Sequence, residues 1–281
     1  MLLPALCAAF APLVANIQDD EELPDGNTLV KPSLAAEVDS IVAGARFELL
    51  LRFEIEPKWH VYWTNPGDAG QALQAKLKAP EGFVVGETRH PWPHRLDQEG
   101  DIVAYVHEDE VVLLASVVAP ADVVEGRDYE FSFDARWLVC TELCVPGEGK
   151  ATLSLKGAKA SKPANEALLL AARKHLPQAL DKLPLAKLVV EGSASKPVLQ
   201  ATVPGAQELE FFPHLDERVK MTGRTREAGK SGAKLAAEFS VKPHKPGQPA
   251  EEPRVRGVLW VKTAKGEAAY EVALPAKPKS P

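Results

Sequence analysis

Apolar and polar residues alternate with a period of two through a series of short stretches between residues 34 and 154, and glycine or proline closes most of them. Successive side chains of a strand point to opposite faces, so this alternation marks strands with one buried side. Residues 45–55, the aromatic run 59–63, and residues 74–78, 83–85, 129–134 and 151–155 read as strands. Residues 102–107 and 111–118 flank Glu108-Asp109-Glu110 as an expected hairpin, its second arm apolar enough to be a buried strand. Asn65-Pro66-Gly67-Asp68 carries turn chemistry, and residues 90–94 form a proline-aromatic loop. Strands at this spacing predict an all-β protein built on a β-sandwich.

The period changes at residues 164–175, where Ala167, Leu168, Leu170, Ala171 and Ala172 recur at near-helical spacing without a β-branched residue. A connecting helix is expected there, then a linker over 177–184. A second β-rich region follows at 188–274, clearest at 209–212, 235–241 and 257–261, with a Pro/Lys/Glu-rich loop at 242–253. The expected organisation is a first sandwich at 28–158, a helical linker at 159–186, a smaller β-rich domain at 187–275 and a disordered tail at 276–281.

Composition narrows the partners. A net charge of −6 with basic residues interspersed among acidic ones leaves no stripe to neutralise phosphates, so nucleic acid is excluded as a partner. Residues 1–15 are apolar and uncharged and precede Asp19-Asp20-Glu21-Glu22, which reads as a secretory signal peptide over 1–18 that includes Cys7. Fifteen residues broken by Pro4 and Pro12 are too few for a spanning helix, which needs about 20. Export to an oxidising compartment is the expectation, and there paired cysteines join.

The chemistry concentrates at Cys140 and Cys144, on the connection between the strands at 129–134 and 151–155. Fully extended, residues four apart stand about 13 Å from each other. A disulfide needs Cα atoms about 4.4–6.8 Å apart, so the segment has to bend for the two to join. A bond closing so short a loop adds little stability, because stabilisation grows with loop length. Such a pair suits electron exchange better than stapling, although a structural staple stays open as a reading. Glu142 between the cysteines disfavours the thiolate, and Arg136 offsets this if it points the same way. Cys144 is slightly preferred as the nucleophile.

Four ordered stretches resemble one family. They are residues 56–70, which contain Trp59-His60-Val61-Tyr62-Trp63-Thr64-Asn65-Pro66-Gly67-Asp68, then residues 79–83, His90-Pro91-Trp92-Pro93-His94, and Trp137 through Pro146. Together they are similar to the N-terminal domain of the protein-disulfide reductase DsbD, in the variant of the ScsB-type copper-tolerance proteins. The resemblance covers about 31–155 well and runs more loosely to Phe211-Phe212-Pro213. It implies an immunoglobulin-like sandwich in which Cys140 and Cys144 are the redox pair, with Trp59, His60, Tyr62 and Trp63 near it or in the core beneath it. Asn65 and Trp137 belong to the same expected shielding or partner-binding set, and residues 65–68 have a lid over the sulfurs as their alternative to a plain turn.

It further implies a periplasmic module, without cofactor or bound metal, that takes electrons from a membrane-embedded thiol–disulfide transporter. The electrons pass to oxidised thioredoxin-like or disulfide-isomerase-like proteins. DsbD-type proteins continue into a membrane domain, so the transporter is expected on a separate chain.

Two other functions compete. Cys140 and Cys144 with a histidine would suit Cu(I) or zinc, but no second cysteine pair or His-x-x-x-His completes a four-ligand set. His60, His90, His94 and His107 read as surface or hydrogen-bonded residues. A non-catalytic envelope interaction module with an inert disulfide is the third reading. No Gly-x-Ser-x-Gly occurs, which disfavours a serine hydrolase.

Overall fold

The computed structural model describes residues 23–229, 232–243 and 252–276. The expected signal peptide, most of the loop at 242–253 and all of the expected tail but Ala276 lie outside the described residues.

A short helical turn, α1 (Gly26–Leu29), leads into eleven strands. These are β1 (Val30–Ala36), β2 (Ser40–Ile41), β3 (Arg46–Ile55), β4 (His60–Gly67), β5 (Gln74–Lys78), β6 (Val84–Arg89), β7 (His94–Gln98), β8 (Ile102–Glu108), β9 (Glu110–Val118), β10 (Asp128–Cys140) and β11 (Cys144–Gly157). One sheet has the order β1-β3-β9-β6 and the facing sheet the order β2-β11-β10-β4-β8-β7, with β5 added on β10. The chain is mostly β, and this pair of sheets is the immunoglobulin-like sandwich.

The inward faces meet in one core of Phe47, Leu49, Leu51, Phe53, Val61, Leu113, Phe131, Phe133, Trp137 and Val139, all buried. Side chains of this kind contribute roughly 1.5–3 kcal/mol each when fully buried, which makes this layer the main source of stability. The unbroken apolar run of β9 has a physical reason. Its odd positions, Val111, Leu113, Ala115 and Val117, enter that core. Val112 and Leu114 point outward and are covered, with Leu50, by Leu169 and Ala172 of helix α2 (Glu166–Lys174).

Three local expectations need correction. β8 and β9 are not a hairpin: β8 pairs with β4 and β7 in one sheet, and β9 pairs with β3 and β6 in the other. Asp109, at φ 58°, is the single residue that carries the chain across the sandwich edge. Asn65, Pro66 and Gly67 do not reverse the chain but end β4, with the Gly67 N–H donating to Asn65 Oδ1 at 3.1 Å. Gly67 sits at φ 92° where an added Cβ would lie 2.2 Å from the Val103 oxygen, so the strand closes on its neighbour only with glycine there. The proline-aromatic loop ends at Pro93, because His94 already begins edge strand β7.

Beyond α2 the chain forms β12 (Gln178–Ala179), β13 (Lys187–Ser193), β14 (Lys196–Val203), β15 (Ala206–Pro213), β16 (Val219–Gly229), β17 (Gly232–Val241), β18 (Arg254–Thr263) and β19 (Gly266–Pro275). They make two four-stranded sheets, β12-β19-β18-β15 and β13-β14-β17-β16, around a core that includes Leu199, Phe211, Leu235, Phe239 and Leu259. The two sandwiches share an aromatic seam in which Trp63, Trp92 and Tyr105 pack against Phe212, Val258 and Ala269.

Candidate functional site

β10 and β11 form one long hairpin, paired from Asp128↔Lys156 to Cys140↔Cys144. Period-2 alternation explains its faces: Val139 and Val145 are buried, Val139 in the core, so Cys140 and Cys144 fall on the outer side of the sheet. The two cysteines are the last rung before a tip of Thr141, Glu142 and Leu143, where the Thr141 N–H donates to the Leu143 carbonyl at 2.9 Å. Direct opposition brings their Cα atoms to 4.1 Å, and they are joined as a disulfide.

The two sulfurs are not equivalent. Cys140 is fully buried among Tyr62, Ala104, Val106, Leu96 and Leu138. Cys144 is exposed, and beside it Leu143 leaves 39% of its surface open. An outside thiol therefore meets Cys144 first.

β4 supplies the other half of the site. The Tyr62 hydroxyl donates to Cys140 Sγ at 3.2 Å and lies 3.8 Å from Cys144 Sγ. Burial pushes the Tyr62 phenol above its ordinary value, which keeps the proton on oxygen as a donor. The ring is clamped from the other side by Gly70, at φ 96°, where an added Cβ would fall 2.2 Å from Tyr62 Cε1. The Leu73 N–H donates to the Tyr62 carbonyl at 3.0 Å and holds this segment in place.

His60, two residues earlier, sits directly opposite Cys140 on one side and Glu108 on the other. Its ring meets the Tyr62 ring edge-on at 5.4 Å. Burial holds the imidazole below its ordinary value, against the opposing pull of the Glu108 carboxylate.

The remaining residues of the expected set divide between the seam and the core. Trp63 faces the seam, with its ring 5.4 Å from His214 and 6.3 Å from Phe212. The Asn65 side chain donates to the Pro213 carbonyl at 2.7 Å, across the same seam. Trp137 lies in the core against Phe53, and its indole N–H donates to the Gly26 carbonyl at 3.0 Å. Trp59 is partly buried against that core. Arg136 pairs with Glu148 at 3.5 Å, both largely exposed, instead of facing the cysteines. His90 precedes β7 and His107 lies on β8 opposite Val61; burial drives them down to about 4 and about 3.

Sequence reasoning missed two contributors. Gly70 was part of the matched stretch, yet its contact with Tyr62 has no local signature. Glu108 has the sequence context of a turn, and only strand pairing places it beside His60. Among the described residues no group of three or more His, Cys, Asp or Glu side chains is arranged to hold a metal ion, and no helix is long and apolar enough to cross a membrane.

The family described as "Thiol:disulfide interchange protein DsbD, N-terminal" matches residues 26–156. Among solved structures, the N-terminal periplasmic domain of ScsB from Proteus mirabilis is similar in fold, with TM-score 0.60 at 14% identity over 89% of this chain and 94% of that one. The reduced N-terminal domain of DsbD from Neisseria meningitidis aligns at 17% identity and TM-score 0.31, over 52% of this chain and 100% of that one. No curated protein matches the chain.

Proposed function

We propose, on the premise that residues 26–156 are a DsbD-family N-terminal domain, that this chain is a thiol–disulfide exchange module working through Cys140 and Cys144. The observation that carries the reading is the asymmetry of the pair: an exposed Cys144 bonded to a buried Cys140 that already accepts a hydrogen bond from Tyr62. An incoming thiolate attacks Cys144 Sγ in line with the S–S bond and forms a mixed disulfide. The bond to Cys140 breaks, and its electron pair stays on the Cys140 sulfur as a thiolate, which the Tyr62 hydroxyl stabilises. A second thiolate of the donor then releases the reduced pair. Run backward on an oxidised partner, the same steps hand two electrons on.

The compartment that suits this chemistry is the periplasm. A membrane-embedded thiol–disulfide transporter fits as electron donor, and oxidised thioredoxin-like or isomerase-like proteins fit as acceptors. The test is Cys140→Ser, which leaves Cys144 without its resolving partner. It is expected to accumulate a mixed disulfide on Cys144, seen as a mass increase that a reductant reverses, whereas Cys144→Ser accumulates none at Cys140. A wild-type disulfide that exchanges with no dithiol, together with a Cys140→Ser protein that forms no adduct, would remove the proposal.

A further inference from the structure

Glu108, His60, Cys140 and Cys144 form a single row across four neighbouring strands, β8, β4, β10 and β11. We propose that His60 takes the Cys140 thiol proton when Cys140 closes the disulfide, with Glu108 as the residue that positions and polarises the imidazole. This rests on the exchange reading above and assigns the proton that the reading leaves unplaced.

The placement is fixed twice over. Residues directly opposite in neighbouring antiparallel strands have Cβ atoms about 4.5–5.5 Å apart, which puts the His60 ring within side-chain reach of the Cys140 sulfur. The ring also shares the outer side of the sheet with the sulfurs, because it touches Tyr62, whose hydroxyl contacts Cys140. His60 is buried, with 4% of its surface exposed, and its Nε2 has no hydrogen-bond partner. Buried polar atoms are nearly always paired, and an orphan beside a reactive group is a common exception.

The chemistry needs such a group. After Cys144 attacks an oxidised partner, the partner is held on Cys144 as a mixed disulfide and Cys140 is a thiol. The Tyr62 hydroxyl stabilises the thiolate once it has formed, but the otherwise apolar surroundings hold the resting sulfur as the thiol, and the guanidinium of Arg136 is engaged with Glu148. Tyr62 donates and stays protonated, so it cannot be the base. The groups that face His60 are Glu108 from β8, Tyr62 along its own strand, and the cysteines from the hairpin. A neutral His60 accepts the Cys140 S–H proton as the sulfur attacks Cys144 Sγ. The new S–S bond forms, the bond from Cys144 to the partner breaks, and the partner leaves as a thiolate carrying the electron pair. Burial keeps the imidazole in the competent neutral form at neutral pH.

The step is separable with a chromogenic aromatic disulfide such as dithiobis(nitrobenzoate), on full-length protein carrying Cys7→Ser. The first coloured thiolate reports attack by Cys144 and depends on reagent concentration, while the second reports closure by Cys140 and does not. In the parent protein the second phase is expected to be flat with pH above about 6.5, the ordinary histidine value. In His60→Gln it is expected to be at least about tenfold slower at neutral pH and to rise about tenfold per pH unit, as free thiolate takes over. A normal solvent deuterium effect on the second phase alone, measured in the parent protein, gives a check that needs no His60 variant. A His60→Gln second phase with the parent's pH profile, or a parent second phase without the isotope effect, overturns the proposal. No colour in either phase defeats the exchange reading itself.

Discussion

Tyr62→Phe isolates one contact. It removes the hydroxyl 3.2 Å from Cys140 Sγ and leaves the ring wedged against Gly70. A hydrogen bond to a charged group is worth about 1.5–3 kcal/mol. At about 1.36 kcal/mol per pKa unit, losing it raises the Cys140 thiol by roughly one to two units. A thiol of higher pKa leaves more slowly, and with a sensitivity like the ~0.5 of an attacking thiol the opening of the disulfide by an external thiolate should slow by roughly three- to tenfold. The assay places Cys140 alone, in a Cys144→Ser background, and follows thiolate absorbance in the ultraviolet as pH rises, with Tyr62 present or replaced. A Cys140 midpoint unchanged by the loss of the hydroxyl would refute the assignment of Tyr62 as the group that stabilises the departing sulfur.

Four further outcomes follow from the same contacts. Gly70→Ala forces a Cβ into the Tyr62 ring, so it should disturb exchange at Cys140 as Tyr62→Phe does while circular dichroism shows the β fold retained. Asn65→Ala leaves the buried Pro213 carbonyl unpaired, which should cost about 1–3 kcal/mol in denaturant unfolding and expose the seam to protease. Trp137→Phe removes the donor to the Gly26 carbonyl and should destabilise the first sandwich by a similar amount, about 1–3 kcal/mol, without changing the exchange rate. His90 and His107 are held neutral when folded and protonate below about 6.5 when unfolded, so the unfolded state binds more protons as pH falls. Their contribution is whole above that point and is lost on the way down toward 4 and 3; His107→Gln should flatten the acid limb of a stability-versus-pH curve.

The alternation of residues 129–134 and 151–155 was enough to read both arms of the hairpin that carries the cysteines, and the helix at α2 announced itself by a change of period. Local pattern failed where a long-range partner decided the outcome. Glu108-Asp109-Glu110 has turn chemistry, but whether a turn folds a strand back on its neighbour or sends it to the opposite sheet depends on β3 and β4, which claim the two strands separately. Asn65-Pro66-Gly67 also has turn chemistry, and Asn65 Oδ1 does accept from the Gly67 N–H, but inside a strand that bulges against β8 and whose Asn65 amide donates to Pro213, far along the sequence. Strand β7 was hidden for a different reason: His94, Arg95 and Asp97 lack apolar alternation, as befits an edge strand. At the site, residue types were legible and their order across the sheet was not. The family resemblance implies Tyr62 and His60 near the cysteines or in the core beneath them, but only register puts a phenol on one side of the buried sulfur and an imidazole opposite it.

The seam has a consequence for the sulfurs some distance from it. β4 carries His60 and Tyr62 toward the disulfide and, within three more residues, Trp63 and Asn65 into the second sandwich. One strand thus serves both the disulfide and the joint between the sandwiches, so the sequence of β4 cannot be changed for one without regard to the other.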